Sequence, residues 1–189
     1  MQNKYEIQGD VTTIFLQRGM STVIDTVDLP KACEFPNQWF ANKSSDTETW
    51  YAMGRMVVDG KRKVVQLHRW LTNAPSEKQV DHFDHEGLNN RRVSNLRVVT
   101  QSQNQQNRKD AINKTGFRGV YQKGNKFKVE ITVGGNRTYF GLYNNPESAS
   151  IVASEARRRL MPFTQEPGQQ NDALWNVIRG RYIDRSKSA

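Results

Sequence analysis

Lys126 to Val133 alternates without a miss: Lys126, Lys128, Glu130 and Thr132 fall on one side, Phe127, Val129, Ile131 and Val133 on the other. That is the period of a strand with one buried face. Gly134-Gly135-Asn136 turns the chain, and Arg137 to Tyr143 returns with Thr138, Phe140 and Leu142 set against Arg137 and Tyr139. A strand around Phe117 to Gln122 completes a three-stranded antiparallel sheet. Asn145-Pro146-Glu147 starts a helix, with Asn at the cap and Pro in the first turn. Along it Ala149, Val152, Ala153, Ala156 and Leu160 recur at helical spacing. The helix is expected to cover the apolar sheet face and leave the basic, polar face open.

The same reading makes residues 1–66 β-rich. Val11 to Leu16 and Thr22 to Asp25 flank Arg18-Gly19, while Trp50 to Val58 and Lys63 to Leu67 flank Asp59-Gly60, a hairpin signal. Tyr5, Phe15, Phe35, Trp39, Phe40, Trp50 and Tyr51 are expected to pack in a core, as solitary aromatics in strand patterns do. The tip Lys61-Arg62-Lys63 is either a phosphate contact or an exposed charge run. Between these blocks, Lys78 to Phe83 and Leu96 to Thr100 read as two short strands. Thr100 caps a helix from about Gln101 to Asp110, with Asn104 and Asn107 on one face. After Glu166-Pro167-Gly168, Asp172 to Arg185 predicts a short helix presenting Leu174, Trp175, Ile178 and Tyr182, and Ser186 to Ala189 is expected to be disordered.

Charge adds a partner to this layout. The chain has 28 Lys+Arg against 19 Asp+Glu, net +9 with a pI near 9.8, a sign that attracts a phosphate backbone. Residues 1–80 hold 10 basic and 9 acidic residues, leaving 18 and 10 for the remainder. The attraction is concentrated in the C-terminal part. One cysteine, Cys33, and three histidines exclude an internal disulfide and a structural zinc. No apolar run approaches a membrane span and the polar start is not a signal peptide, so a cytoplasmic protein without membrane partner is expected.

The chemistry lies in Val80-Asp81-His82, Leu88 to Leu96 and Ser102 to Asn107. Cutting a phosphodiester needs a base for water and a cation for the developing charge. An imidazole titrating near 6.5 is largely neutral in a neutral cell and takes a proton, which makes His82 the candidate base. An Asn carbonyl is suited to hold its other nitrogen, and Asn95 is the candidate. Asp81 and Asn104 offer one anionic and one neutral oxygen, few for calcium but suited to a magnesium that keeps waters. Neighbours on a regular strand point to opposite faces, so an irregularity is expected at His82. His68 is read as structural or as a DNA-backbone contact, His85 as solvated, and Asn107 as touching phosphate or solvent in preference to serving as an auxiliary metal ligand.

At these residues the chain resembles the HNH endonucleases, the ββα-metal nucleases, and most of all those of phage and intron homing type. The resemblance implies Asp81 as metal ligand, His82 as base, Asn95 as orienting residue and Asn104 as second ligand, with Mg²⁺ as cofactor and Mn²⁺ as substitute. The block from Gly116-Phe-Arg-Gly-Val-Tyr121 through Tyr139-Phe-Gly-Leu-Tyr143 resembles the plant APETALA2/ethylene-response-factor DNA-binding domain. That likeness implies an open sheet lying in the major groove. Its matching positions here are Arg118, Tyr121, Lys123, Glu130, Thr132, Arg137 and Tyr139, of which Arg118, Glu130 and Arg137 keep the plant residue types. Arg118 and Arg137 are suited to guanine, and Lys123, Lys126 and Lys128 to phosphate.

The expectation is a modular α+β protein with a β-rich region at 1–66, a nuclease core at 67–112, a DNA-binding module at 113–163 and a tail at 164–189. Its function is a Mg²⁺-dependent endonuclease acting on duplex DNA, with no small-molecule cofactor, as a monomer in preference to a homodimer. The rivals are a DNA-binding regulator with a vestigial core and an RNA-binding or RNA-processing protein. The intact Asp81, His82, Asn95 and Asn104 set argues against the first. The lack of an aromatic RNP pattern argues against the second.

Overall fold

The computed structural model describes residues 1–45, 48–108 and 113–181, and the chain divides into two units, residues 1–104 and 105–189. In the first, β1 (Tyr5–Gln8), β2 (Val11–Phe15) and β3 (Ser21–Asp25) form an antiparallel sheet in chain order. A short helix, α1 (Leu29–Cys33), leads to a second antiparallel sheet of β4 (Trp39–Lys43), β5 (Trp50–Val58) and β6 (Lys61–Gln66). Asp59 and Gly60 turn between β5 and β6 at φ 51° and 72°, the left-handed values a two-residue hairpin loop needs. Then come α2 (Leu67–Thr72), an antiparallel pair of β7 (Gln79–His82) and β8 (Leu96–Val99), and α3 (Gln101–Gln106). The expected continuation of α3 to Asp110 falls partly on residues outside those described.

An apolar core joins the two three-stranded sheets of the first unit to α1 and α2. Ile14 and Ile24 meet Phe35, Trp39 and Ala52, and Leu67 and Leu71 of α2 join them. Phe35 stacks on Trp39 with centroids 4.0 Å apart. A Cβ at Gly54 would stand 2.3 Å from Phe35 Cζ, so only glycine lets β5 pass under that ring. Not all the aromatics are buried as expected: Tyr5 and Phe15 are exposed, since the face of β2 that carries Phe15 is not the one that carries Ile14.

In the second unit, β9 (Val120–Lys123), β10 (Lys126–Val133) and β11 (Asn136–Tyr143) form an antiparallel sheet in the order β11-β10-β9. The helix α4 (Pro146–Leu160) is capped by Asn145, whose side chain accepts from the Ser148 N–H, and buries Ala149, Val152, Ala153 and Ala156 with Val120, Val129, Ile131 and Phe140. One expectation fails at Leu142, which is 42% exposed. Val129 pairs with Gly141 but Glu130 with Tyr139, so a bulge with Gly141 at φ 127° moves the following residues to the opposite face. A further helix, α5 (Asp172–Ile178), packs Leu174, Trp175 and Ile178 into the same core; Tyr182 and the last residues lie outside those described. Among the described residues no helix is long and apolar enough to cross a membrane.

Candidate active site

The loop between β7 and β8 is held from outside by β3. Val23 N–H donates to Leu88 O and its carbonyl accepts from Asn90 N–H, at 3.1 and 2.8 Å. The Thr22 hydroxyl also donates to Leu88 O. Asp25 takes Arg91 Nε at 2.9 Å and the Val93 N–H at 2.7 Å, and Asp28 takes Arg92. A loop rich in Asn and Arg, with little apolar surface of its own, is thereby fixed by polar bonds to a strand more than sixty residues away.

Strand β7 ends at His82, the irregularity expected there. His82 O accepts from His85 N–H in a turn, and Phe83 N–H donates to Asn95 O, each at 3.0 Å. Asp81 and His82 are both buried. The amide facing the imidazole is Asn90, with Oδ1 3.3 Å from His82 Nε2. Asn90 Nδ2 donates to Thr22 Oγ1 at 2.8 Å and to Gly87 O at 3.4 Å, which fixes the amide's orientation. Oδ1 can only accept, so this bond calls for the proton on Nε2. Burial pushes the His82 pKa down, against the opposing pull of the Asn90 bond and the Asp84 and Asp81 charges, which keeps the ring in its neutral, proton-accepting form.

Asn95 stands elsewhere than the sequence reading expects. Its Oδ1 accepts from the Asp84 N–H at 2.9 Å and its Nδ2 donates to Asn89 O at 2.7 Å. It closes the loop behind His82, and Asn90 is the residue that sequence reasoning missed. Turn chemistry alone does not separate three asparagines within seven positions.

His68, expected to be structural or a DNA-backbone contact, is only 4% exposed, which agrees with the structural alternative. Its ring meets His82 edge-on, centroids 4.9 Å apart at 88°, and Nε2 lies 3.0 Å from Gln66 Oε1. Its Nδ1 is buried without a hydrogen-bond partner. Burial, then the neighbouring His82 and Arg69, lower its pKa to about 3. The Tyr51 ring lies 5.7 Å from His82 and 5.9 Å from His68, and burial followed by the Asp81 charge pushes its hydroxyl pKa up. Two rings, Tyr51 and His68, thus wall one side of His82. Next to His68, Arg69 donates to the carbonyls of Lys78, Ala74 and Pro75, which fixes the entry to β7.

Asp81 sits across from Arg97 in the β7–β8 register, and the Arg97 guanidinium holds its Oδ2. Gln79 and Asp81, two apart, share one face of β7. Asn104 donates Nδ2 to Gln79 Oε1, which places it on that same face, with Oδ1 the atom that could hold a metal. Among the described residues no three His, Cys, Asp or Glu side chains gather to enclose a metal. One buried carboxylate and one amide oxygen are nonetheless donors of the kind that a hard divalent cation keeping most of its waters takes. His85 is half-buried at φ 66° in the loop, and Asn107 is buried, which excludes the solvent contact expected of it.

In the second unit the open sheet face carries Tyr121, Lys123, Lys126, Lys128, Glu130, Thr132, Arg137 and Tyr139, and the bulge adds Leu142. Lys128 reaches Glu130 at 2.8 Å and lies over the Tyr121 ring. Arg118 departs from expectation. Its guanidinium donates to the carbonyls of Gln105, Gln106 and Arg108 and touches Met161 Sδ. It is a half-buried strut for residues 105–108 and does not face outward from the sheet.

Residues 73–106 match the family model of the HNH endonucleases. An uncharacterized HNH endonuclease of Acanthamoeba polyphaga mimivirus is 34% identical over 104 residues, which cover 52% of this chain and 49% of the relative. The chain therefore spans about half the length of the curated relative it matches. No solved structure matches it. Both matches support a hydrolase of the nuclease kind.

Proposed function

We propose that this chain is an HNH endonuclease of the homing type that hydrolyses a phosphodiester of duplex DNA with magnesium, or manganese in its place. The observation that carries this reading is the oriented, neutral His82. The Asn90 bond to Nε2 orients the ring, and Nδ1 is the nitrogen suited to take the proton of the attacking water. As the water oxygen bonds to phosphorus the P–O3′ bond breaks, giving a 5′-phosphate and a 3′-hydroxyl. Asp81 and Asn104 would hold the metal, which supplies charge for the phosphate oxygens and the leaving oxygen. Arg97 keeps the Asp81 carboxylate in place, and its own positive charge offsets the cost of burying that anion.

In this reading site choice falls to the open sheet of the second unit, and its resemblance to the APETALA2-type module supports a sheet that reads a major groove. Arg137, its side chain 71% exposed, is suited to a guanine edge. Leu142 suits a thymine methyl, and Lys123, Lys126 and Lys128 suit phosphates. Incubating the full chain with supercoiled plasmid, with and without magnesium, tests the reading. Metal-dependent nicking that disappears in His82→Ala is expected. Cleavage at the parent rate by His82→Ala under metal saturation refutes His82 as the base.

A further inference from the structure

The sheet of β4, β5 and β6, for which the sequence suggests no task beyond the candidate phosphate contact at its Lys61-Arg62-Lys63 tip, has one face leading straight into the His82 site. Tyr51, Met53, Arg55 and Val57 alternate onto that face of β5. The register sets Asn42 beside Tyr51, Phe40 and Gln66 beside Met53, Val64 beside Arg55 and Arg62 beside Val57. At its inner end Tyr51 lies against His82 and His68, and Gln66 bonds His68. At its outer end Val57 and Val64 are 65% and 62% exposed, and Arg55 and Arg62 are exposed beside them. The other face, with Ala52 and Gly54, is turned to the core.

We propose that this face carries the backbone of duplex DNA up to the His82 site. The proposal rests on the nuclease reading and adds a second contact region to it. Charge selects the occupant: the face holds Arg55 and Arg62 and no Asp or Glu at any of its strand positions. Among the described residues neither arginine is in an ion pair with a carboxylate. The Arg55 guanidinium lies over the Phe40 ring at 4.4 Å, a stack that holds it in one place above the sheet. A protein partner would call for a larger apolar patch than two valines between arginines, whereas a polyanion needs cations leading to the point of cleavage. From Tyr51 to Val57 the strand runs about 20 Å, or about six base pairs of B-form duplex.

The test compares two charge deletions on one hairpin in the cleavage-blocked His82→Ala chain. Arg55→Ala with Arg62→Ala removes the charges of the proposed face. Lys61→Ala with Lys63→Ala removes as many from the opposite one. Binding to a random-sequence duplex is followed by fluorescence anisotropy from about 50 to 200 mM salt. The arginine pair is expected to lower the slope of log Kd against log salt by about 2, and the lysine pair by less than half of that. Hydroxyl-radical footprints should shorten by several base pairs at one end with the arginine pair only. Equal slopes for the arginine variant and its parent, or equal losses from the two pairs, overturn the proposal. Plasmid nicking by the His82 chain separates the two readings. If it nicks and the slopes are equal, only the role of the sheet falls; a chain that neither binds nor cuts DNA removes both.

Discussion

Replacing Asn90 with alanine tests whether the buried amide, and not Asn95, sets the base. Asn90 is 0% exposed and bonds His82, Thr22 and Gly87. Losing three neutral hydrogen bonds at about 0.5–1.5 kcal/mol each lowers stability by about 2–4 kcal/mol. Asn95→Ala loses two such bonds, to Asp84 N–H and Asn89 O, for about 1–3 kcal/mol. The two variants are therefore comparably weakened, and rate is what separates them. Without Oδ1 the His82 ring loses its tautomer and its orientation, and the variant forfeits part of the roughly 10²–10⁴-fold that a general base contributes. A drop of about tenfold or more in kcat is expected for Asn90→Ala, with KM and half-activating magnesium within about twofold. Asn95→Ala should keep kcat within about threefold, because it touches the loop and not the ring. The assay is single-turnover plasmid nicking at saturating protein and metal, run below the melting temperatures set by circular dichroism. A folded Asn90→Ala that nicks at the parent rate, or an Asn95→Ala that alone loses kcat, refutes the clamp.

Asp81→Ala should raise the half-activating magnesium concentration more than Asn104→Ala, because Asp81 alone brings ligand charge; metal titrations of nicking rate read this, and unchanged midpoints in both refute it. The His68 pKa in the folded chain, about 3, lies below its ordinary 6.5, so the unfolded chain takes a proton that the folded chain refuses as pH falls through 6.5. Stability should drop by about 2 kcal/mol between neutrality and pH 5 from this residue alone, and urea melts should show a flatter pH dependence in His68→Phe. Arg118→Ala should destabilise by about 2–4 kcal/mol, from charge-assisted bonds to three carbonyls, and leave site preference unchanged. Arg137→Ala should relax preference by about 1–3 kcal/mol, and binding to a randomised duplex pool compares the two. A monomer with one such constellation should release nicked circles before linear DNA; linear product without a nicked intermediate, from a complex holding two chains, would contradict that.

What the sequence shows best is what neighbours decide. Asp59-Gly60 fixes its hairpin, Asn145 fixes the start of α4, and the alternation of Lys126 to Val133 gives the buried face of β10, because backbone geometry and side-chain period act over a few residues. The bulge was available too: a glycine inside the Phe140-Gly-Leu-Tyr143 strand marks the place where alternation breaks, yet a simple period-two count runs through it to Leu142. Asn90 is harder. Its role depends on Thr22 and Val23 holding residues 88–90, a contact across more than sixty residues with no local trace. Arg118 is of the same kind, since a cation that looks like a base reader is consumed by three carbonyls that only the tertiary fold brings near it. Likewise His68 carries no local sign that its ring will end against His82.

The grip of β3 on the loop bears on how this candidate site can be exchanged between proteins. The matched stretch, residues 73–106, is short enough to suggest a portable cassette. A chimera joined at residue 67 would leave behind the strand that supplies the bonds to Leu88, Asn90, Arg91 and Val93, and the Thr22 hydroxyl that orients the amide on the base. On the proposed reading, the block that keeps these bonds together is residues 1–104, and chimeras joined at its outer edges are the ones expected to keep nicking activity.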